Sequence, residues 1–232
     1  METKDIYYFL QNWLGCYPSV YFRLFARKYP FNRVKVRPDS DICIEGFPRS
    51  ANSYAVVAFR LANPQAKIAH HLHVPAQLLQ ARKWEIPAIL LIREPEQAVA
   101  SFLVFQNSNN ADLYLKAYIR FHRALLSVQN DLVIADFNVA VQNINALIRA
   151  ANAKFNQQFQ YLDNPSGREE EIFVKLKEVN DRFFAGQRNK SMYPDEHRRQ
   201  AKEQARQRVQ QSPYLKMAQE YYRRFLEQGI RE

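Results

Sequence analysis

The stretch Asp41-Ile-Cys-Ile-Glu-Gly46, followed at once by Phe47-Pro-Arg-Ser-Ala-Asn-Ser53, decides the fold. A short apolar run ends in glycine, a turn follows, and from Asn52 the apolar residues Tyr54, Val57, Ala58 and Leu61 recur at helical spacing. That is a strand, a loop and a helix. Asn63-Pro64 stops the helix. Outward from it the alternation repeats. Lys67–His73 reads as a second strand and Pro75–Arg82 as a short helix opened by proline. Pro87–Ile92 is a continuous apolar run of the kind buried on both faces. Glu94-Pro95-Glu96 starts a helix with acids in its first turn. An amphipathic helix over Asp112–Gln129, a fourth strand over Asp131–Asp136 and a helix over Val139–Phe155 follow, with Phe159–Leu162 as a weaker fifth strand. The remainder reads as charged helix, broken near Gly186–Pro194 and at Pro213.

Strands alternating with helices predict an α/β fold of three layers. Its central, mainly parallel sheet has four to five strands flanked by helices, like that of P-loop nucleotide-binding proteins, with extra C-terminal helices. Residues 1–40 form an aromatic and basic helical extension, and 41–232 form the α/β domain. Ligands of such sheets sit beyond the carboxyl ends of the strands. The chemistry is therefore sought in Gly46–Ser53, His71–Pro75, Arg93–Ser101 and Asp136–Asn138.

The chain has 232 residues, 47% hydrophobic and 24% charged, which is a globular composition. Two cysteines, Cys16 and Cys43, cannot build a disulfide framework or a four-thiolate zinc site. No sufficiently long apolar stretch and no basic leader stand in the sequence, so a cytoplasmic protein is expected. The net charge of +10 favours an anionic partner. The excess lies at the ends: residues 1–40 hold seven Lys/Arg against three acids, and residues 186–232 hold eleven against six.

Set against the phosphate-binding pattern G-x-x-x-x-G-K-[ST], Gly46 and Ser53 match, while Ala51 and Asn52 replace the second glycine and the lysine. The backbone of such a loop still offers N–H donors at a helix N-terminus, and Arg49 supplies a cation from within it. Read alone, the loop equally fits a plain strand-to-helix turn. Arg93 follows the most apolar strand, and Ser101 lies eight residues on. An arginine fork and a serine hydroxyl there suit a phosphate; read alone, they equally suit a surface arginine and an idle serine.

Taken together, these segments resemble the sulfotransferase family that uses 3′-phosphoadenosine 5′-phosphosulfate. The family's first loop, P-[KR]-S-G-[TNS]-[TS]-[WFY], stands here as Pro48-Arg49-Ser50-Ala51-Asn52-Ser53-Tyr54. Its R-x-P-x-x-x-x-x-S segment stands as Arg93 to Ser101, with Pro95 in place. Its K-T-H-[LV]-P-like segment reads His71-Leu72-His73-Val74-Pro75. The resemblance covers residues 41–155 well and the C-terminal third loosely. It implies transfer of a sulfuryl group to a hydroxyl or amine, without metal, leaving adenosine 3′,5′-bisphosphate. The resemblance assigns the 5′-phosphosulfate to Arg49, Ser50, Ala51, Asn52 and Ser53, with Arg49 stabilising the leaving phosphate. Arg93 and Ser101 would take the 3′-phosphate, and Tyr54 would stack on adenine. Arg188 and Lys190 would belong to a late basic loop over the cofactor. His73 is the implied general base, with His71 as its rival. The departures are Ala51, whose methyl group crowds the loop or demands negative φ, and His71, which stands where lysine precedes the histidine.

Two other readings stay open. One is a P-loop-like kinase, with Asp136 at a strand end as its only acidic candidate. The other is a non-catalytic anion or nucleic-acid binder working through the basic ends. Nucleic acid is not the expected partner: Tyr7, Tyr8, Phe9 and Trp13 cluster as in core packing or peripheral contact with a membrane surface. The acceptor is a small molecule, glycan or lipid that the sequence does not name.

Overall fold

A computed structural model describes residues 3–25, 31–184, 190 and 196–230. Four strands, β1 (Ile42–Gly46), β2 (Ile68–His70), β3 (Ala88–Ile92) and β4 (Val133–Asp136), form an all-parallel sheet of order β2-β1-β3-β4. Cys43 sits opposite Ala69 and Ala88, and Ile92 opposite Asp136. Alternation along each strand divides the core. Ile42, Ile44, Ile89, Leu91, Val133 and Ala135 face one layer. That layer holds α4 (Asn52–Ala62), α8 (Phe137–Gln142), α9 (Ile144–Phe155) and α10 (Glu169–Phe184). Cys43, Leu90, Ile92 and Ile134 face the other. There lie α1 (Thr3–Leu14), α5 (Pro75–Lys83), α6 (Pro95–Gln106), α7 (Ala111–Leu125), α11 (Glu196–Gln210) and α12 (Leu215–Leu226). The result is the three-layer α/β architecture that the alternating pattern predicts. Near the first layers, α2 (Pro18–Leu24) and the single turn α3 (Phe31–Val34) close over Leu72, Val74 and Ala76.

Strand order fixes where a ligand can sit. β1 leads into α4 on one face of the sheet, while its neighbour β3 leads into α6 on the other. The two connections part at the carboxyl ends of β1 and β3, the place where open parallel sheets take their ligands. Gly46 is needed at that point, because a Cβ on it would overlap the Leu91 carbonyl oxygen of β3.

The fifth strand is absent, and the sheet has four. Residues Phe159–Leu162 join no ladder and are clasped by side chains instead. Asn152 bonds both N–H and carbonyl of Phe159, Asn63 does so for Gln160, and Asn145 for Leu162, all at 2.8–3.1 Å. Three carboxamides thus supply the paired bonds that a neighbouring strand would give. β2 is also shorter than expected. It ends at His70, because His71 and His73 adopt φ of 58° and 54°. The helix expected over Val139–Phe155 is broken at Asn143, whose side chain caps α9. Among the described residues no helix is long and apolar enough to cross a membrane.

His122 on α7 is fully buried between Tyr118, Phe121 and Phe225. Its Nδ1 donates to the Tyr118 carbonyl at 2.8 Å, and its Nε2 has no partner among the described residues. Burial lowers its pKa to about 4. The folded state therefore binds fewer protons than the unfolded chain between pH 4 and 6.5, and stability falls as the pH drops through that window. The shift corresponds to about 3 kcal/mol at full protonation. His122→Leu should flatten the acid side of a plot of melting temperature against pH by about one proton's slope. An unchanged slope would exclude His122 as its source.

Candidate functional site

The loop after β1 carries unusual backbone. Arg49 and Ala51 have φ of 71° and 66°, and neither is glycine. Ala51 keeps its methyl group in the left-handed region; the expectation that it would demand negative φ is not met. Such a residue costs roughly 1–2 kcal/mol. The loop is braced by Asn52, whose Nδ2 donates to the Phe47 carbonyl at 3.1 Å. Asn52 thus fills, from inside, the place where a P-loop lysine would extend outward.

α4 begins at this loop without a side-chain cap. α2, α5 and α12 likewise lack one, whereas Glu94, Asn110, Asp136 and Asn143 each cap the helix that follows them. Among the described residues no side chain caps the first N–H groups of α4, and an anion could take that place. Ser50 Oγ, fully buried beside them in the chain, has no hydrogen-bond partner among the described residues.

Side chains from three elements meet here. Arg49 Nε donates to Ser101 Oγ on α6 at 3.0 Å. Arg93 Nη1 donates to the Arg49 carbonyl at 2.8 Å, and its guanidinium lies 3.8 Å from the Phe137 ring centroid. Tyr118 OH donates to the Arg93 carbonyl at 2.8 Å and fixes the end of β3. Arg49 and Lys190 both approach the Phe105 ring, at 5.3 and 5.8 Å. The structure thus brings Arg49, Arg93, Ser101 and Lys190 to one corner, with Ser101 joined to Arg49 instead of to Arg93. Arg188 lies outside the described residues. Tyr54 stands on α4 with its ring edge-on to Phe173 of α10 at 6.2 Å, so it is held by packing on that side.

On the β2 side of this corner stands a group that the sequence reading missed. Glu45 is wholly buried. Its carboxylate accepts from Gly46 N at 3.1 Å, Leu72 N at 2.8 Å and Gln77 Nε2 at 3.4 Å. His73 Nδ1 lies 3.3 Å from it and 3.0 Å from the Gly46 carbonyl oxygen. Both neighbours of Nδ1 are acceptors, so Nδ1 carries the proton. Nε2 of the neutral ring is then a bare lone pair without a protein hydrogen bond among the described residues, on a side chain 29% exposed. Burial alone would raise the Glu45 carboxyl, but His73 and the Gly46 N–H hold it below the usual carboxylate range. Burial likewise disfavours charged His73, yet Glu45 and the Gly46 carbonyl raise it above the ordinary histidine value. The one sequence signal was a glutamate inside an otherwise apolar strand.

His71 is engaged differently. Its Nε2 pairs with Ser53 Oγ at 2.9 Å and its Nδ1 with His70 Nδ1 at 2.5 Å. Burial and the neighbouring histidines hold it neutral, and burial takes His70 to about 3. Both ring nitrogens of His71 are occupied. Asp136 is occupied too, accepting from Asn138 N and from Tyr222 OH at 2.9 and 2.8 Å. Among the described residues no three His, Cys, Asp or Glu side chains gather to hold a metal ion.

No protein-family model, no curated protein and no solved structure matches the chain.

The Glu45–His73 pair has a pH signature. His73 contributes its full share of stability below its ordinary value of 6.5 and loses it as pH rises through the raised one. Glu45 contributes fully above its ordinary value of 4.5 and loses its share as pH falls through the depressed one. The pair stabilises most between those ordinary values. Glu45→Gln should lower the His73 pKa read by NMR and cost most stability near the middle of that window. An unmoved His73 titration would dissolve the pair. Ala51→Gly should raise the unfolding free energy by about 0.5–1 kcal/mol once the extra freedom of the unfolded chain is deducted, seen as a higher urea midpoint. A lower midpoint would show that methyl packing outweighs the backbone relief.

Proposed function

We propose that the protein is a sulfotransferase that moves a sulfuryl group from 3′-phosphoadenosine 5′-phosphosulfate to a hydroxyl or amine of an acceptor. The observation that carries this reading is the shared corner of Arg49, Arg93 and Ser101 beside the uncapped N-terminus of α4. Two anionic groups on one ligand need two sets of donors. The loop Ser50–Ser53 with the first N–H groups of α4 makes one, and Arg93 with Ser101 makes the other. The unpartnered hydroxyl of buried Ser50 fits an anion on the first set. When bound, the donor supplies an electrophilic sulfuryl group and a bisphosphate leaving group.

This chain's residues would then divide the work. Arg49 turns from Ser101 toward the leaving oxygen, where a fixed cation counts most as charge develops. Lys190 adds a further cation from beside the same Phe105 ring as Arg49. His73 Nε2 takes the acceptor proton, while Glu45 and the Gly46 carbonyl hold the ring in the tautomer that leaves that nitrogen bare. His71, spent on Ser53 and His70, is the weaker candidate for base. The kinase alternative is disfavoured by Asn52, which braces the loop where a lysine would be needed, and by the prior engagements of Asp136.

Titration calorimetry should show adenosine 3′,5′-bisphosphate binding at least tenfold more tightly than 5′-AMP, and Arg93→Ala should abolish the difference. Equal affinities would reject the assignment. With an acceptor in hand, His73→Ala should slow transfer about 10²–10⁴-fold. The acid limb of kcat/KM should lie above the ordinary histidine value and move down in Glu45→Gln.

A further inference from the structure

α1 is built with its polarity reversed. Its buried side carries Asp5, Tyr8 and Asn12. Asp5 accepts from Ser108 Oγ and Tyr114 OH, both at 3.1 Å, and Asn12 Oδ1 accepts from Arg120 at 2.8 Å. Its outer side carries Ile6, Tyr7, Leu10 and Trp13, and Tyr17 and Leu24 extend the same character onto α2. Tyr7 is 53%, Trp13 46% and Leu24 59% exposed. The patch is continuous, because Trp13 packs edge-on to Tyr17 and Tyr7 edge-on to Phe25. An ordinary surface helix hides such residues and shows the polar ones. Here hydrogen bonds to α7 and its entry loop secure the polar side, and that leaves the apolar side outward.

Among the described residues of α1, α2 and α3, the exposed charged side chains are arginines. Arg23, Arg33 and Arg37 are exposed on α2, on α3 and just after it. Over the described residues 3–39, Asp5 is buried and Asp39 is paired with Lys67 at 3.0 Å. Tryptophan and tyrosine among leucine and isoleucine, rimmed by arginine, are the composition that settles at a lipid headgroup boundary. A self-complementary contact would instead bring these arginines toward one another. We infer that the outer face of α1 and α2 docks on the surface of an anionic membrane. The inference is independent of the proposed transfer reaction.

The experiment is co-sedimentation of the full chain with phosphatidylcholine vesicles, alone or mixed with phosphatidylglycerol. The chain should pellet with the mixed vesicles and stay largely in solution with phosphatidylcholine alone. Leu10→Gln together with Trp13→Gln should weaken pelleting more than tenfold, and Arg23→Gln about fivefold, with melting temperatures held. In a Trp84→Phe background the emission of Trp13 should shift to the blue on vesicles and not in buffer. A chain that remains in solution with the anionic vesicles overturns the inference. So does a dimer in light scattering that Leu10→Gln with Trp13→Gln converts to a monomer, because the face would then belong to a second copy.

Discussion

A full negative charge lies inside this protein at Glu45, and much of the site is arranged to answer it. A carboxylate taken out of water costs several kcal/mol unless donors replace the lost hydration. The replacements come from the Gly46 amide, the Leu72 amide, Gln77 and His73. Gln77 is held in turn by Val36 N–H and the Val34 carbonyl. The end of β1, the segment after β2, the start of α5 and the close of α3 are thus oriented around one pair of oxygens. Position in the strand explains its place: Glu45 shares parity with Cys43 and so faces the α5 side of the sheet, where Gln77 stands.

The strain of the site has the same geography. Arg49, Ala51, His71 and His73 all have positive φ, and all follow the carboxyl ends of β1 and β2. Residues held in such regions cost roughly 1–3 kcal/mol each and persist where their surroundings over-determine them. Arg93 grips the Arg49 carbonyl, Ser53 grips His71, and Gly46 with Glu45 grips His73. The remaining cases among the described residues are mostly asparagines, which tolerate that conformation cheaply.

What could be read from residues alone followed from period and punctuation. The apolar runs at Ile42–Gly46 and Ala88–Ile92, the Asn63-Pro64 stop and the Glu94-Pro95 start are local signals, and they gave the sheet and the positions of Arg49, Arg93 and Ser101. What escaped depended on partners distant in the chain. Glu45 looks like a polar strand end until Leu72 and Gln77 are brought to it. Phe159–Leu162 has strand composition, but Asn63, Asn145 and Asn152 satisfy its backbone, and no local pattern announces a clasp made of three carboxamides. The early end of β2 depends on two histidines twisting out of line, which composition does not forbid. α1 has a helix's spacing whichever side is buried, and only Ser108, Tyr114 and Arg120 decide it.

The turn between α1 and α2 leaves no slack. A methyl group on Gly15 would press into Val74, and the Gly15 carbonyl accepts from Ala76 N–H at 2.8 Å. Val74 is the residue after His73. The turn between the first two helices is therefore tied to the segment that carries the imidazole. A displacement of that turn would be felt first at the left-handed backbone of His73.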